Sequence, residues 1–292
     1  MRQDAPVLQV EHLTVTFGRG WRQAPLRAVD DVGLRLGRGE TLGIVGESGS
    51  GKSTLARAIL GLVPVASGRI LFEGEELTAM RPGRRRQLAA QIQVVFQDPY
   101  SSLNPTRTVG QSIAEPLEVQ GQLSRTEIRH RVAAVLHQVG LPPEGMNRYP
   151  AQFSGGQRQR IAIARAVIGS PRLVICDEAV SALDLSVQAQ ILNVLMDLQR
   201  DYALSMIFIG HDLAVVRYVA HRTLVMYHGQ VVEEGASAHV YANPQHPYTR
   251  RLLAAAPVPD PVVQKQRRQA RRWALDGASV SNPRVSEEVA HA

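Results

Sequence analysis

The chain has one cysteine, Cys176, among its 292 residues. That excludes an internal disulfide and any zinc or iron–sulfur centre built from several cysteines. No run of about eighteen apolar residues occurs, so no bilayer-spanning helix is expected. The start, MRQDAPVLQV, lacks a basic stretch followed by an apolar one. No secretory signal is therefore expected, and a cytosolic protein is. There is no internal repeat. Strand signals are scarce from about residue 105 to 170. Hydrophobic periodicity fades after about residue 256, where Pro, Arg, Gln and Ser dominate, so that end is expected to be poorly ordered.

What is present is the composition of an ordinary globular protein, 44% hydrophobic and 20% charged. The length suits one large domain, or one domain with an appendage. A net charge of +7 admits nucleic acid or an anionic membrane surface as a neighbour. Much of it sits in RPGRRRQ (81–87) and KQRRQARRW (265–273). Either run also reads as a solvated face or a loose basic tail.

VLQVEHLTVTF (7–17) has Leu13, Val15 and Phe17 on one face, as in an antiparallel strand. TLGIVG (41–46) is a short apolar strand that runs into a glycine loop. A helix is expected from Ser53 to Val63, stopped by Pro64. Strand, GxxxxGKS, helix is the context a phosphate-binding loop requires, and it sets the class as α/β with parallel strands. In the middle, Ile128, Val132, Val135, Leu136 and Val139 follow helical spacing, as does QRQRIAIARAVIG. An inserted helical subdomain is expected there. The parallel sheet resumes with RLVICDE (172–178), then a helix with Val187, Ile191, Val194, Leu195 and Leu198 on its apolar face, then SMIFIG (205–210). TLVMYHGQVVEEG (223–235) reads as two strands around a His-Gly turn.

In GESGSGKST (46–54), Gly46, Gly49 and Gly51 let backbone N–H groups turn toward phosphates at the start of a helix. Lys52 should reach the β- and γ-phosphates, and the Ser53 hydroxyl should ligate Mg²⁺. RLVICDE ends on two carboxylates, at the sheet edge that faces the ligand crevice. Asp177 suits a water-mediated Mg²⁺ contact, and Glu178 is placed to orient or deprotonate the attacking water. The two acids could instead cap a helix. Cys176, between them and the core, reads as a small buried residue. His211, directly after SMIFIG, is either structural or a γ-phosphate sensor. Gln97, after IQVVF, could bind both Mg²⁺ and water through its amide. A second Ser/Gly loop, QFSGGQRQR (152–160), follows no strand and carries no lysine for a γ-phosphate.

Taken together, these residues resemble the ATPase subunit of ABC transporters over about 250 residues. The matching elements stand in family order. They are the Walker A loop GESGSGKS, Gln97 of the Q-loop, the signature FSGGQ, the Walker B strand LVICDE, SALD (181–184) of the D-loop, and His211 of the switch. QDPYSSLNPTRTVG (97–110) and NPQHPYTRRLLAAAP (243–257) are similar to the dipeptide/oligopeptide importers, specifically to the second of their two different ATPase subunits. Some relatives in that group import nickel or glutathione. Phe153 stands for the usual leucine of the signature, and Ala179 and Val180 stand where Pro and Thr are common. The cysteine cluster that some members carry near the C-terminus is missing.

The resemblance implies a P-loop NTPase (RecA-like) core with an antiparallel β-subdomain and a helical subdomain at about 100–170. The ATPase domain would cover 1–256, an importer-type extension 236–262, and a basic flexible tail 263–292. It implies an ATP site made by Phe17 against adenine and by Gly46, Glu47, Ser48, Gly49, Ser50, Gly51, Lys52, Ser53 and Thr54. Ser53, Gln97 and Asp177 would hold Mg²⁺, and Glu178, His211 and Gln97 would serve hydrolysis. In this family two ATPase subunits pack head to tail. Ser154, Gly155, Gly156, Gln157 and Asp184 would then contact the nucleotide of the partner, which explains a second loop without a lysine. The implied partners are a second ATPase subunit in a heterodimer, two transmembrane permease subunits and a periplasmic or extracellular solute-binding protein. The implied place is the cytoplasmic face of the inner membrane, and no specific nucleic acid is expected. A soluble ABC ATPase acting on nucleic acid is the rival reading. Its long coiled coils, zinc cysteines or double cassettes are absent here.

Overall fold

Strands buried at consecutive positions, and so on both faces, build the centre of the molecule. The computed structural model describes residues 5–18 and 25–255. In chain order the first elements are β1 (Leu8–Phe17), β2 (Leu26–Leu36), β3 (Thr41–Val45), α1 (Lys52–Leu60), β4 (Ser67–Phe72), β5 (Glu75–Glu76), α2 (Pro82–Ala89) and β6 (Ile92–Val95). Helices α3 (Val109–Gln120), α4 (Arg125–Gln138) and α5 (Gly155–Val167) follow. Then come β7 (Leu173–Asp177), α6 (Leu185–Tyr202), β8 (Ser205–Gly210), α7 (Leu213–Val219), β9 (Arg222–Tyr227), β10 (Gln230–Ala236), α8 (Ser237–Ala242) and α9 (Pro247–Ala255).

The main sheet has the order β10-β9-β3-β8-β7-β6. Its four pairings from β9 to β6 are parallel, and the edge strand β10 is antiparallel to β9. The period of two sorts the side chains onto two cores. Leu42, Ile44, Leu173, Ile175, Ile207 and Ile209 face α1 and the second sheet. Val45, Val174, Cys176, Met206 and Phe208 face the cluster that holds α3 to α7. Each such aliphatic side chain, removed from water, stabilises the fold by about 1.5–3 kcal/mol. The α/β class with P-loop NTPase architecture is what the sequence implies.

The second sheet, β2-β1-β4-β5, is antiparallel. Only β1 is evident in the sequence, although its register is irregular. His12 has φ 48, and the pairing shifts between Val10 and Leu13. That bulge moves the inward positions from Leu8 and Val10 to Leu13 and Val15, so simple alternation is broken. Phe17, expected on that same face, ends the strand 40% exposed.

Helix starts in the middle stretch are written as capping boxes. Thr108 and Gln111, Ser124 and Glu127, and Ser154 and Gln157 each exchange two side-chain-to-backbone hydrogen bonds. The helical spacing from Ile128 to Leu136 falls on α4, and Val139 is its buried C-cap. One boundary differs from expectation. Helix α1 ends at Leu60 rather than Val63, because Gly61 takes φ 71 and its N–H donates to the Ala58 carbonyl. The glycine stops the helix before the proline can.

Part of the first basic run is engaged in the fold. Arg84 pairs with Glu75 at 2.5 Å, and Arg85 donates to the Leu77 carbonyl at 3.3 Å. The second run, with the expectation of a poorly ordered end, lies outside the described residues. Among the described residues, no helix is long and apolar enough to cross a membrane.

Candidate active site

Every residue of β3 is buried, and the strand delivers the glycine loop to the start of α1 at the sheet's crevice edge. Gly51 caps α1 with φ 104 and offers no side chain to the helix. A Cβ there would overlap the Ala28 carbonyl oxygen on β2, so only glycine fits. The first helical bond runs from Leu55 N–H to the Gly51 carbonyl at 2.9 Å. The N–H groups of Lys52, Ser53 and Thr54 therefore have no helical acceptor, and a helix start of this kind fits an oxyanion.

Lys52 is only 4% exposed. Its ammonium donates to the carbonyls of Gly46 and Glu47, each at 2.8 Å. Burial pulls its pKa below the ordinary lysine value, and the charges of Glu178, Asp177 and Glu47 oppose that shift. Ser53 donates its hydroxyl to Asp177 Oδ1 at 3.0 Å, joining α1 to the end of β7. Asp177 is 8% exposed, and burial raises its pKa while the Ser53 hydrogen bond works the other way. Two hard oxygen donors this close, beside a second carboxylate, suit Mg²⁺, which takes few protein ligands and keeps waters and phosphates for the rest. Among the described residues no group of three or more His, Cys, Asp or Glu could hold a metal ion.

Glu178 stands one residue past β7 at φ 52, a left-handed conformation that costs a non-glycine residue about 1–3 kcal/mol. Its N–H donates to the Ile209 carbonyl at 3.1 Å, and its own carbonyl accepts from Ser181 N–H and Oγ. Neither acid caps a helix, since the next helix, α6, is capped by Asp184. The strained turn aims Glu178 into a cleft of about 450 Å³. That cleft runs from Phe17 and Leu26 past Ser48, Gly49 and Gly51 to Lys52, Ser53, Thr54 and Glu178. His211, just past β8, shares a smaller pocket of about 100 Å³ with Glu178. Gln97, two residues past β6, is exposed and lines neither space. Cys176 is fully buried with its thiol pushed up to about 12, first by burial and then by Asp177.

Gly46 and Ser50 are buried, and Glu47, although exposed, turns its backbone N–H back into the protein. The Ser50 carbonyl accepts from Gly229 N–H at 3.0 Å, and Glu47 N–H donates to the Tyr248 hydroxyl at 2.8 Å. Sequence reasoning did not assign Leu26, Gly229 or Tyr248 to this region. The His-Gly turn between β9 and β10 was the available signal for Gly229. Leu26 pairs directly with Phe17 across the strands, so two exposed apolar side chains stand at the cleft mouth.

The second Ser/Gly loop forms a different object. Ser154 caps α5, accepting from Gln157 N–H at 3.3 Å, while Gln157 Oε1 accepts from Ser154 N–H at 3.0 Å. Gly156 packs against α6, where a Cβ would overlap Val187 Cγ1. Asp184 caps α6 through Ser186 and Val187 N–H at 3.1 and 3.0 Å, which hold its carboxyl below the usual range. The first turns of α5 and α6 thus abut, and none of these residues lines the 450 Å³ cleft.

A family model described as ABC transporter matches residues 29–181, and one described as the C-terminal region of oligopeptide/dipeptide transporters matches 232–276. The chain is 54% identical over 260 residues to the oligopeptide transport ATP-binding protein OppF of Escherichia coli K12, covering 88% of this chain and 78% of that one. It is 51% identical over 270 residues to the glutathione import ATP-binding protein GsiA of the same organism, covering 90% of this chain and 43% of that one. Among solved structures, the ATP-binding cassette MJ0796 in a dimeric post-hydrolysis state bound to ADP and Pi matches with a TM-score of 0.71 and 28% identity, over 79% of this chain and 98% of that one. The cbiO1 structure from Clostridium perfringens, part of the transporter complex cbiONQ, gives 0.74 and 28% over 94% and 99%. The chain therefore belongs to the ATP-binding subunits of ABC transporters, within the dipeptide/oligopeptide importer family.

Proposed function

We propose that this subunit couples ATP hydrolysis to the uptake of di- or oligopeptides, or of a related solute such as glutathione or nickel. The observation that carries the reading is the Ser53–Asp177 hydrogen bond beside a buried Lys52, with Glu178 in the turn directly after that strand. Lys52 exchanges the Gly46 and Glu47 carbonyls for β- and γ-phosphate oxygens. Phe17 and Leu26 offer apolar surface to adenine. Ser53 and Asp177 would hold Mg²⁺, joined by Gln97 once its loop carries it in from the exposed position it has here, and the ion would neutralise charge on the β- and γ-phosphates. Glu178 accepts a proton from water as the water oxygen bonds to the γ-phosphorus and the bond to the ADP oxygen breaks. His211 contacts the γ-phosphate from the far side of Glu178.

Ser154, Gly155, Gly156, Gln157 and Asp184 serve the nucleotide of a second, different ATPase subunit packed head to tail. What supports this is their separation from this chain's own cleft and the paired helix starts of α5 and α6. Residues 100–170 transmit closure to two permease subunits at the cytoplasmic face of the membrane, and a solute-binding protein delivers the solute outside. Binding energy thereby biases a two-state dimer.

The test is Glu178→Gln in the complex reconstituted with its permeases, ATPase partner and binding protein. ATP affinity should stay near the wild-type value while turnover falls at least about a hundredfold. Uptake of radiolabelled peptide should fall with it. Wild-type turnover in Glu178→Gln would remove the residue from catalysis, and uptake of glutathione alone would move the substrate assignment.

A further inference from the structure

The segment after β10 returns to the nucleotide site from behind. Glu233 accepts hydrogen bonds from Gln245 N–H at 2.8 Å and His246 N–H at 2.9 Å. Tyr248 N–H donates to His246 Nδ1 at 3.2 Å. These bonds fix the start of α9, and the Tyr248 ring packs on Tyr227 of β9 with centroids 4.1 Å apart. Tyr248 is 2% exposed, and its hydroxyl accepts the Glu47 N–H of the glycine loop.

The peptide unit involved has two ends. Its carbonyl, Gly46 O, holds the Lys52 ammonium, and its N–H, from Glu47, is held by Tyr248. Carbonyl and N–H of a trans peptide point in opposite directions. Lys52 and Tyr248 therefore grip the same plane from opposite sides. When Lys52 turns to a phosphate, the carbonyl grip is released and the tyrosine grip is the one that persists.

We propose that Tyr248 is a positioning residue of the nucleotide site, holding the Gly46–Glu47 peptide in the orientation that the phosphate cradle requires. This rests on the reading of residues 46–54 as the ATP cradle. Without the hydroxyl, the free loop rotates that peptide part of the time. Apparent affinity then drops by the fraction of molecules left in the competent orientation.

The experiment uses the full chain and Tyr248→Phe, which keeps the ring on Tyr227 and removes only the oxygen. ATP affinity, measured by equilibrium dialysis on the subunit, should weaken about five- to tenfold, the scale of one lost buried hydrogen bond. In the assembled complex KM for ATP should rise by the same factor with kcat within about twofold. Loss of packing alone would not give that split. An affinity within twofold of wild type would overturn the proposal. Amide exchange on the wild-type chain gives a second arm that needs no variant. Glu47 should exchange slowly for a loop amide, and exchange as fast as that of exposed Gly49 would also overturn it. Failure of the wild-type chain itself to bind ATP would instead count against the cradle reading.

Discussion

Two Ser/Gly loops lead into helices in this chain, and they end in opposite ways. At 46–54 the helix is left uncapped. Gly51 has no side chain to give, and the first-turn N–H groups of α1 stay available. At 152–160 the helix caps itself. Ser154 and Gln157 satisfy each other and account for two of the four early N–H groups of α5. The first loop carries a buried ammonium and is walled in by β2, the β9–β10 turn and Tyr248. The second is exposed at Ser154 and Gln157, and braced only along its α6 side by Gly156. A loop that holds its own ligand needs donors and a wall. A loop that meets a ligand held elsewhere needs a stable shape and an open front.

The largest expected effect breaks the first loop. Lys52→Ala should weaken ATP binding at least about a hundredfold, since charge-assisted hydrogen bonds to the phosphates are lost. Isothermal titration on the isolated subunit reads it directly. Next, Ser154→Arg should lower ATP turnover of the assembled complex about thirtyfold, because a long side chain at the start of α5 blocks approach to the opposing γ-phosphate. Photo-crosslinking of nucleotide to this chain should stay within about threefold of wild type. Loss of crosslinking here with normal hydrolysis at the partner would make the two loops one site and end the contrast.

The smallest effect sharpens the comparison through pH. Burial acts to raise the Glu233 carboxyl, but the hydrogen bonds it accepts, led by the Gln245 N–H, outweigh it and hold it below its ordinary 4.5. A depressed carboxyl contributes stability that is full above the unfolded value and is lost as pH falls through the folded one. Amide protection at Gln245 and His246, behind the first loop, should therefore decline as pH drops below 4.5. The neutral Ser154–Gln157 cap has nothing to titrate, so protection at those amides should stay constant over the same range. Glu233→Gln should remove the pH dependence.

Features written locally were legible from the sequence. Gly46, Gly49, Gly51 and Lys52 lie within seven positions, and the acids end an apolar run, so spacing alone placed them. The capping pairs three residues apart at the starts of α3, α4 and α5 are equally local, but they were recognised only in the structure. β2 and β4 were not legible, because β2 breaks its own alternation at Asp31, which takes φ 54, and β4 opens on Ser67, Gly68 and Arg69. Their pairing is settled by long-range register. Nor was Tyr248, which lies 201 positions from Glu47 and whose role depends on where α9 docks. Gly156 looked like a phosphate-loop glycine, and the structure adds a packing reason for it in Val187.

The single thiol has a practical consequence. Cys176 is fully buried and burial pushes its thiol up to about 12, so at neutral pH it stays the thiol and not the thiolate that a labelling reagent attacks. The native chain is thus silent to maleimides while folded. A cysteine introduced at Leu185, which is 84% exposed, becomes the one reactive handle on the molecule without any prior removal of a natural one. Fluorophores or spin labels placed there can report the opening and closing of the proposed dimer on an otherwise unmodified chain.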